Sequence, residues 1–204
     1  MKHLLIILLA IPGTISAQER PDIFFREDFK ETPAEIPVSQ EHIANEDVII
    51  SLYGPGASVI KKSHHDTPAD DPYYLWSGLC EQNWAVTLKH KSGHVDLAHF
   101  GKIRWRAKQS GFHQLHILLK LADGTWLVSD VSDPPSTDWR ISEFNISDIQ
   151  WMGVDMALIS ATRPIENPDL SKVEEIGWTD FMRGGGSLAS SRVDWIEVVG
   201  YPVN

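Results

Sequence analysis

The residues with the most chemistry to offer stand in one stretch, IRWRAKQSGFHQLHILLK (residues 103–120), where Arg104, Arg106, Gln114, His116 and Lys120 occupy the polar positions of an alternating pattern. Guanidinium and amide groups make bidentate hydrogen bonds, the imidazole is both donor and acceptor, and the ammonium is a point charge. Together they suit an anionic or hydroxyl-rich ligand.

Such a row needs strands to hold it, and the period-2 rule supplies them. Ile103, Trp105 and Ala107 point one way on the first strand, and Leu115, Ile117, Leu119 and Leu121 do so on the next. Those seven are expected in the core. The opposite side carries Lys102, Arg104, Arg106 and Lys108, then Gln114, His116, Leu118 and Lys120. Read as hairpin partners, the two strands present one wet face, flanked by Trp126 or Trp139 once Asp123-Gly124 turns the chain back.

The same pattern of short strands and turn signals runs along the chain. Strands are expected over 22–29, 47–53, 58–62, 73–78, 83–90, 102–108, 113–121, 125–130 and 192–200. Between them lie Gly54-Pro55-Gly56, Ser92-Gly93, Ser110-Gly111 and Asp133-Pro134-Pro135, where glycine supplies positive φ and proline fixes the bend. Room for a helical turn remains only near 145–156 and 168–175. This spacing predicts an all-β fold, a single antiparallel β-sandwich of jelly-roll type.

Composition narrows the ligand. The chain starts with Lys2, an apolar run from Leu4 to Ile11, a Pro12-Gly13 break and Ala17, which reads as a signal peptide over 1–17, cut before Gln18. Residues 18–204 form the expected domain, secreted or periplasmic, without membrane insertion. It holds 17 basic against 28 acidic residues, a net charge of −11, so nucleic acid is not an expected partner. Cys80 is the only cysteine, and no internal disulfide forms. Eight tryptophans is a high count for this length. Most belong in the core, Trp84 and Trp105 above all. One left beside Arg, Gln and His makes a sugar-binding constellation, since C–H faces stack on indole while hydroxyls take bidentate partners.

The segment IGWTDFMRGGGSLASSRVDWIEVVG (176–200) and the opening FFREDF (24–29) resemble the last and first strands of secreted galactose-binding-domain-like β-jelly rolls, the group that holds many carbohydrate-binding modules. The resemblance implies a non-catalytic module that binds a glycan or polysaccharide. It also implies a structural Ca²⁺ between the first and last strands, here through Glu27 or Asp28 with Asp194.

An enzyme on the same face is the rival expectation. Gln114-Leu-His116 resembles the Gln-x-His element of jelly-roll alginate lyases, though the chain lacks that family's arginine- and glutamate-rich strand and its tyrosine-containing C-terminal motif. Hydrolysis of a glycoside needs two carboxylates across the scissile bond, and none stands paired in a motif. The nine histidines include His64-His65, His90 with His94, and His113 with His116. None has helical zinc-enzyme spacing, and solvent-facing turn or loop positions are expected for them. Asn145-Ile-Ser147 is a glycosylation sequon that matters only in a host with that machinery.

Overall fold

The computed structural model describes residues 19–182 and 189–203. The leader expected over 1–17 and the Gly184-Gly185-Gly186 loop lie outside the described residues.

Alternating apolar and polar side chains produce strands almost throughout. In chain order these are β1 (Ile23–Glu27), β2 (Val48–Tyr53), β3 (Lys61–Ser63), β4 (Tyr74–Trp76), β5 (Trp84–His90), β6 (His94–Asp96), β7 (Lys102–Gln109) and β8 (Leu115–Leu121). There follow β9 (Trp126–Asp133), β10 (Arg140–Asn145), β11 (Trp151–Asp155), β12 (Ser160–Ile165), β13 (Val173–Asp180), β14 (Ser191–Val199) and β15 (Tyr201–Val203). Among the described residues three short 3₁₀ turns complete the regular structure. The room left for helix near 145–156 holds one of them, Ile146–Asp148, followed directly by β11. The later stretch near 168–175 runs into β13 instead.

Two antiparallel sheets form. The smaller has the order β10-β7-β14-β4-β3, with β1 also on β14. In the larger the order is β12-β11-β9-β8-β13-β5-β2, with β6 joining β13 to β15. The chain changes sheet repeatedly, as a jelly roll does, and the first strand lies beside the last long one.

Side chains from both inner faces meet in one core. Ile103, Trp105 and Ala107 of β7 and Val193, Ile196 and Val198 of β14 face Leu115, Ile117 and Leu119 of β8 and Ile176 and Trp178 of β13. Trp105 and Trp178 are fully buried, and truncating either to alanine would cost about 3–5 kcal/mol. Asp133, at the end of β9 in the larger sheet, ties the two layers. It accepts from Trp105 Nε1 at 2.9 Å and Ser142 Oγ at 2.8 Å, both in the smaller sheet, and pairs with Arg140. Cys80 is buried in the same core and unpaired, and desolvation pushes its thiol up to about 12.

One expectation fails here. β7 and β8 are not hairpin partners: β7 lies in the smaller sheet between β10 and β14, and β8 in the larger between β9 and β13. The Ser110–His113 connection crosses from one layer to the other. Both strands keep their apolar sides in the core, so their polar sides end up on opposite faces of the sandwich.

Candidate functional site

The proposed row is therefore split. Arg104 and Arg106 stand on the outer face of the smaller sheet, with Trp139 beside Arg106 at 5.4 Å from guanidinium to ring. His116 and Lys120 stand on the outer face of the larger sheet, with Trp126 beside Lys120 at 5.7 Å. Gln114 is exposed immediately before β8, where its Oε1 accepts from Ser132 Oγ at 2.5 Å. Each tryptophan flanks one half of the row, and the halves do not meet.

On the smaller sheet the cations already have partners. Lys102 pairs with Glu143 at 2.6 Å, Arg104 with Glu197, and Arg106 with Asp194 at 2.7 Å. Lys108 reaches Asp138 at 4.0 Å. Lys102 holds the Glu143 carboxyl below the usual range, whereas burial pushes Asp194 up against the opposing pull of Arg106. Arg26 covers Trp195, 4.1 Å from the ring centroid. The positive charge on this sheet is matched by carboxylates on β10 and β14 and, for Lys108, in the connection before β10. A cleft of about 640 Å³ opens beside Arg106, Asp194 and Trp195, but these pairs occupy its best hydrogen-bonding groups.

The larger sheet is built differently. Leu118 of β8, Val128 of β9 and Ala85 of β5 are fully buried on the side away from the main core. Half-buried Tyr53, Trp126, Met152, Val154, Met156 and Phe181 pack against them. Tyr53 is on β2 and Trp126 on β9, four strand spacings apart in the sheet order, a span of about 19 Å if the sheet were flat. Their rings nevertheless meet edge to face, with centroids 5.1 Å apart. Contact between rings on strands so far apart means that the sheet curls towards this side into a trough with an aliphatic floor, part of which Ile159 of the turn after β11 covers.

Polar groups line this trough. The Tyr53 hydroxyl donates to Glu175 at 3.0 Å, Thr87 Oγ1 donates to the same carboxylate at 2.5 Å, and Lys120 Nζ reaches it at 2.9 Å. Lys120 also meets Glu174 at 3.0 Å, and Lys89 meets Glu174 at 2.6 Å. Hydrogen bonds donated to Glu175 and Glu174 hold the Lys120 ammonium above its ordinary value, and Lys89 and then Lys120 hold Glu174 below its own. Burial, with Glu175 adding to it, raises the Tyr53 phenol. The two lysines balance the two glutamates, so the trough is polar without net charge. At its other end His116 Nδ1 lies 3.0 Å from the Ser129 carbonyl oxygen and its ring 5.0 Å from Phe181. A carbonyl only accepts, so Nδ1 carries the proton, and Nε2 is the acceptor nitrogen of the neutral ring.

Sequence reasoning found His116, Lys120 and Trp126 but missed Tyr53, Thr87, Glu174, Glu175 and Phe181. The signal for Tyr53 and Thr87 was present, since both sit at alternate positions of strands already recognised. β13 itself went unrecognised, and Glu174 and Glu175 with it. The lyase constellation is not assembled: Arg104 and Arg106 lie on the other sheet from His116.

The carboxylates named for calcium do not fit an ion as placed. Glu27 is fully buried, and its oxygens accept the backbone N–H groups of Phe29 at 2.7 Å, Ala44 at 2.8 Å and Asn45 at 2.9 Å. Asp28 is bidentate with Arg26, and Asp194 pairs with Arg106. Hydrogen-bond donors stand where a cation's other ligands would have to be oxygens. Among the described residues no group of three or more His, Cys, Asp or Glu side chains is placed to hold a metal. The solvent-facing expectation also fails for His113, which is buried and bonded through Nδ1 to Asp180 at 2.6 Å.

No protein-family model and no curated protein matches the sequence. Similarity is found among solved structures. A family 11 carbohydrate-binding module of a cellulosomal cellulase from Clostridium thermocellum is 15% identical, with 93% of this chain and 99% of that one covered and a TM-score of 0.45. A family 11 module from the same organism, in complex with a β-1,3-1,4-mixed-linked tetrasaccharide, is 15% identical over 86% of this chain and 100% of that one, with a TM-score of 0.44. An exo-β-agarase is 8% identical over 79% of this chain, which spans 24% of the agarase chain, with a TM-score of 0.42.

Proposed function

We propose that the protein is a non-catalytic module that binds a neutral, hydroxyl-rich glycan in the concave face of the larger sheet, and that it acts outside the cytoplasm after losing the leader before Gln18. One observation carries the reading: the Tyr53–Trp126 pair closes over the Lys120–Glu175 network in a trough without net charge. Binding sites are concave, largely apolar and marked by a few convergent polar groups, and this face has that character. Aromatic rings stack on sugar C–H faces, while Lys120, Glu174 and His116 exchange hydrogen bonds with hydroxyls. The matched charge favours a neutral sugar over a uronate or sulfated polymer, which would require a net positive surface. Calcium has no part in this proposal.

The experiment is a glycan array with neutral and acidic polysaccharides, followed by product analysis on each hit. Binding of neutral glycans with no new reducing ends and no unsaturated products is expected, and Trp126→Ala should abolish it. Turnover of any hit would replace the module with an enzyme, and a preference for acidic glycans would move the site elsewhere.

A further inference from the structure

The chain that leads into β1 is fastened before the strand begins. The Tyr201 hydroxyl donates to the Glu19 carbonyl oxygen, and the Gly200 N–H donates to the Asp22 carbonyl oxygen at 3.3 Å. Arg20 and Pro21 are thereby held between two anchors on the β14–β15 corner. The Arg20 side chain is exposed and, among the described residues, makes no hydrogen bond or ion pair.

Two strands away in the sheet order, the turn before β7 is also pinned. Asp96 Oδ1 accepts the Ala98 N–H at 2.7 Å, and the Gly101 carbonyl oxygen accepts the Ile146 N–H at 3.0 Å. Gly101 has no room for a side chain, since an added Cβ would meet the Leu97 carbonyl oxygen at 2.5 Å. Phe100 stands on this turn with 43% of its surface exposed, an aromatic ring kept out of the core by the backbone on both sides.

Arg20 and Phe100 line one cleft of about 520 Å³, together with Lys102 and Arg104 of β7 and Glu143 and Asn145 of β10. The register explains the gathering: Lys102 lies between Asn145 and Val199, and Arg104 between Glu143 and Glu197. Lys102 and Arg104 are matched by Glu143 and Glu197, so the sheet's own charges cancel here. Arg20 adds one unmatched positive charge, and among the described residues that line the cleft Glu143 is the only carboxylate. The Arg104 Nε–H is buried without an acceptor among the described residues, a cost that a ligand oxygen at this guanidinium would remove.

We infer that this cleft is a second ligand site, independent of the trough, and that it takes a uronic acid residue, a sugar ring bearing one carboxylate. A planar guanidinium matches a carboxylate through two parallel hydrogen bonds, and a single surplus charge suits a single carboxylate. The C–H face of the sugar packs on Phe100, while His99, Asn145 and Ser147 offer imidazole, amide and hydroxyl groups to the ring hydroxyls. The volume falls within the range of small-molecule sites, roughly 300–1,000 Å³.

The test titrates the parent protein and its Trp126→Ala, Arg20→Ala and Phe100→Ala variants with sodium glucuronate, sodium galacturonate and sodium sulfate, reading affinity by calorimetry. Uronate should bind the parent and Trp126→Ala alike, and raising salt from about 20 to about 200 mM should weaken it several-fold. Arg20→Ala and Phe100→Ala should each weaken it about tenfold or more. Their melting temperatures should hold, because both side chains are exposed, and their binding of neutral glycans in the trough should be that of the parent. Uronate affinity that survives either substitution, or no uronate binding up to about 10 mM, overturns the cleft and leaves the trough reading standing. Uronate binding lost in Trp126→Ala moves the acidic sugar to the trough and overturns both readings. Sulfate that binds as tightly as uronate, with no effect of Phe100→Ala, makes the cleft a plain anion site and overturns the sugar assignment.

Discussion

Arg106 and His116 stand back to back through the thickness of the sandwich, one on the outer face of the smaller sheet and the other on the outer face of the larger. Substitutions at the two positions should therefore separate cleanly. Lys120→Ala should weaken glycan binding by roughly 1.5–3 kcal/mol, the scale of a charge-assisted hydrogen bond, and His116→Ala by about 0.5–1.5 kcal/mol, the scale of a neutral one. Arg106→Ala should leave affinity unchanged. It should lower the melting temperature, because Asp194 is only 7% exposed and loses its guanidinium partner, a loss of about 1–3 kcal/mol. Titration calorimetry and thermal melts on the three variants check this, and weakened binding in Arg106→Ala would return the site to the smaller sheet.

The Glu27 carboxylate holds three backbone N–H groups from two segments of chain, at Phe29 and at Ala44–Asn45. Glu27→Ala orphans all three, so a loss of about 3 kcal/mol or more is expected. Denaturant unfolding measures it, and a loss below about 1 kcal/mol would mean that water reaches these donors.

Because Glu27, Asp28 and Asp194 already have N–H and guanidinium partners, neither Ca²⁺ nor EDTA should move the melting curve. An ion that bound only the folded chain would raise the melting temperature with its concentration. Such a rise would mean that these side chains rearrange around calcium.

Lys62 is fully buried, with Nζ donating to the Thr32 carbonyl at 3.2 Å and lying 4.4 Å from the centre of the Tyr73 ring. Burial lowers its pKa from 10.5 to about 8, against a smaller opposing pull from Glu31. Between those two values the unfolded chain binds more protons than the folded one, so the Lys62 contribution to stability grows as pH rises through this window and is lost as pH falls below about 8. Lys62→Met removes the titration. The stability gap between parent and variant should shift in the parent's favour as pH is raised across the window, and a constant gap would show that the ammonium is not desolvated.

With its thiol buried and raised to about 12, Cys80 should resist alkylation in the native protein at neutral pH and react once the chain is unfolded. Mass spectrometry after iodoacetamide treatment reads this directly. Prompt native labelling would require the segment around Cys80 to open.

Alternation alone was enough to place the core of β7 and β8, because a strand with one apolar side has to bury that side. It carried no information about neighbours. A side chain's face depends on its own strand, whereas the surface it shares depends on which strands lie alongside, and the Ser110–His113 link reads equally well as a hairpin or as a crossing between sheets. β13 escaped for a related reason. Six of its last seven residues, Glu175 to Asp180, are buried, so the strand lacks the wet alternate positions that reveal its neighbours. The matched charges on the smaller sheet were invisible for the same cause as the split row: Glu143, Asp194 and Glu197 become partners of the β7 cations only through pairing with β10 and β14.

The pairing of β1 with β14 sets how the domain answers a pull. Ile23 lies opposite Val199 and Glu27 opposite Ile196, so the chain leaves both strands at the same end of the ladder. Tension on the two leads loads the cross-strand hydrogen bonds one after another instead of all at once. β15, joined to β6 through only Tyr201, Pro202 and Val203, stands ahead of that ladder on the C-terminal lead. Under load the terminal seam unzips at low force, and the outermost strands are shed before Asp133 and the packed tryptophans bear any strain.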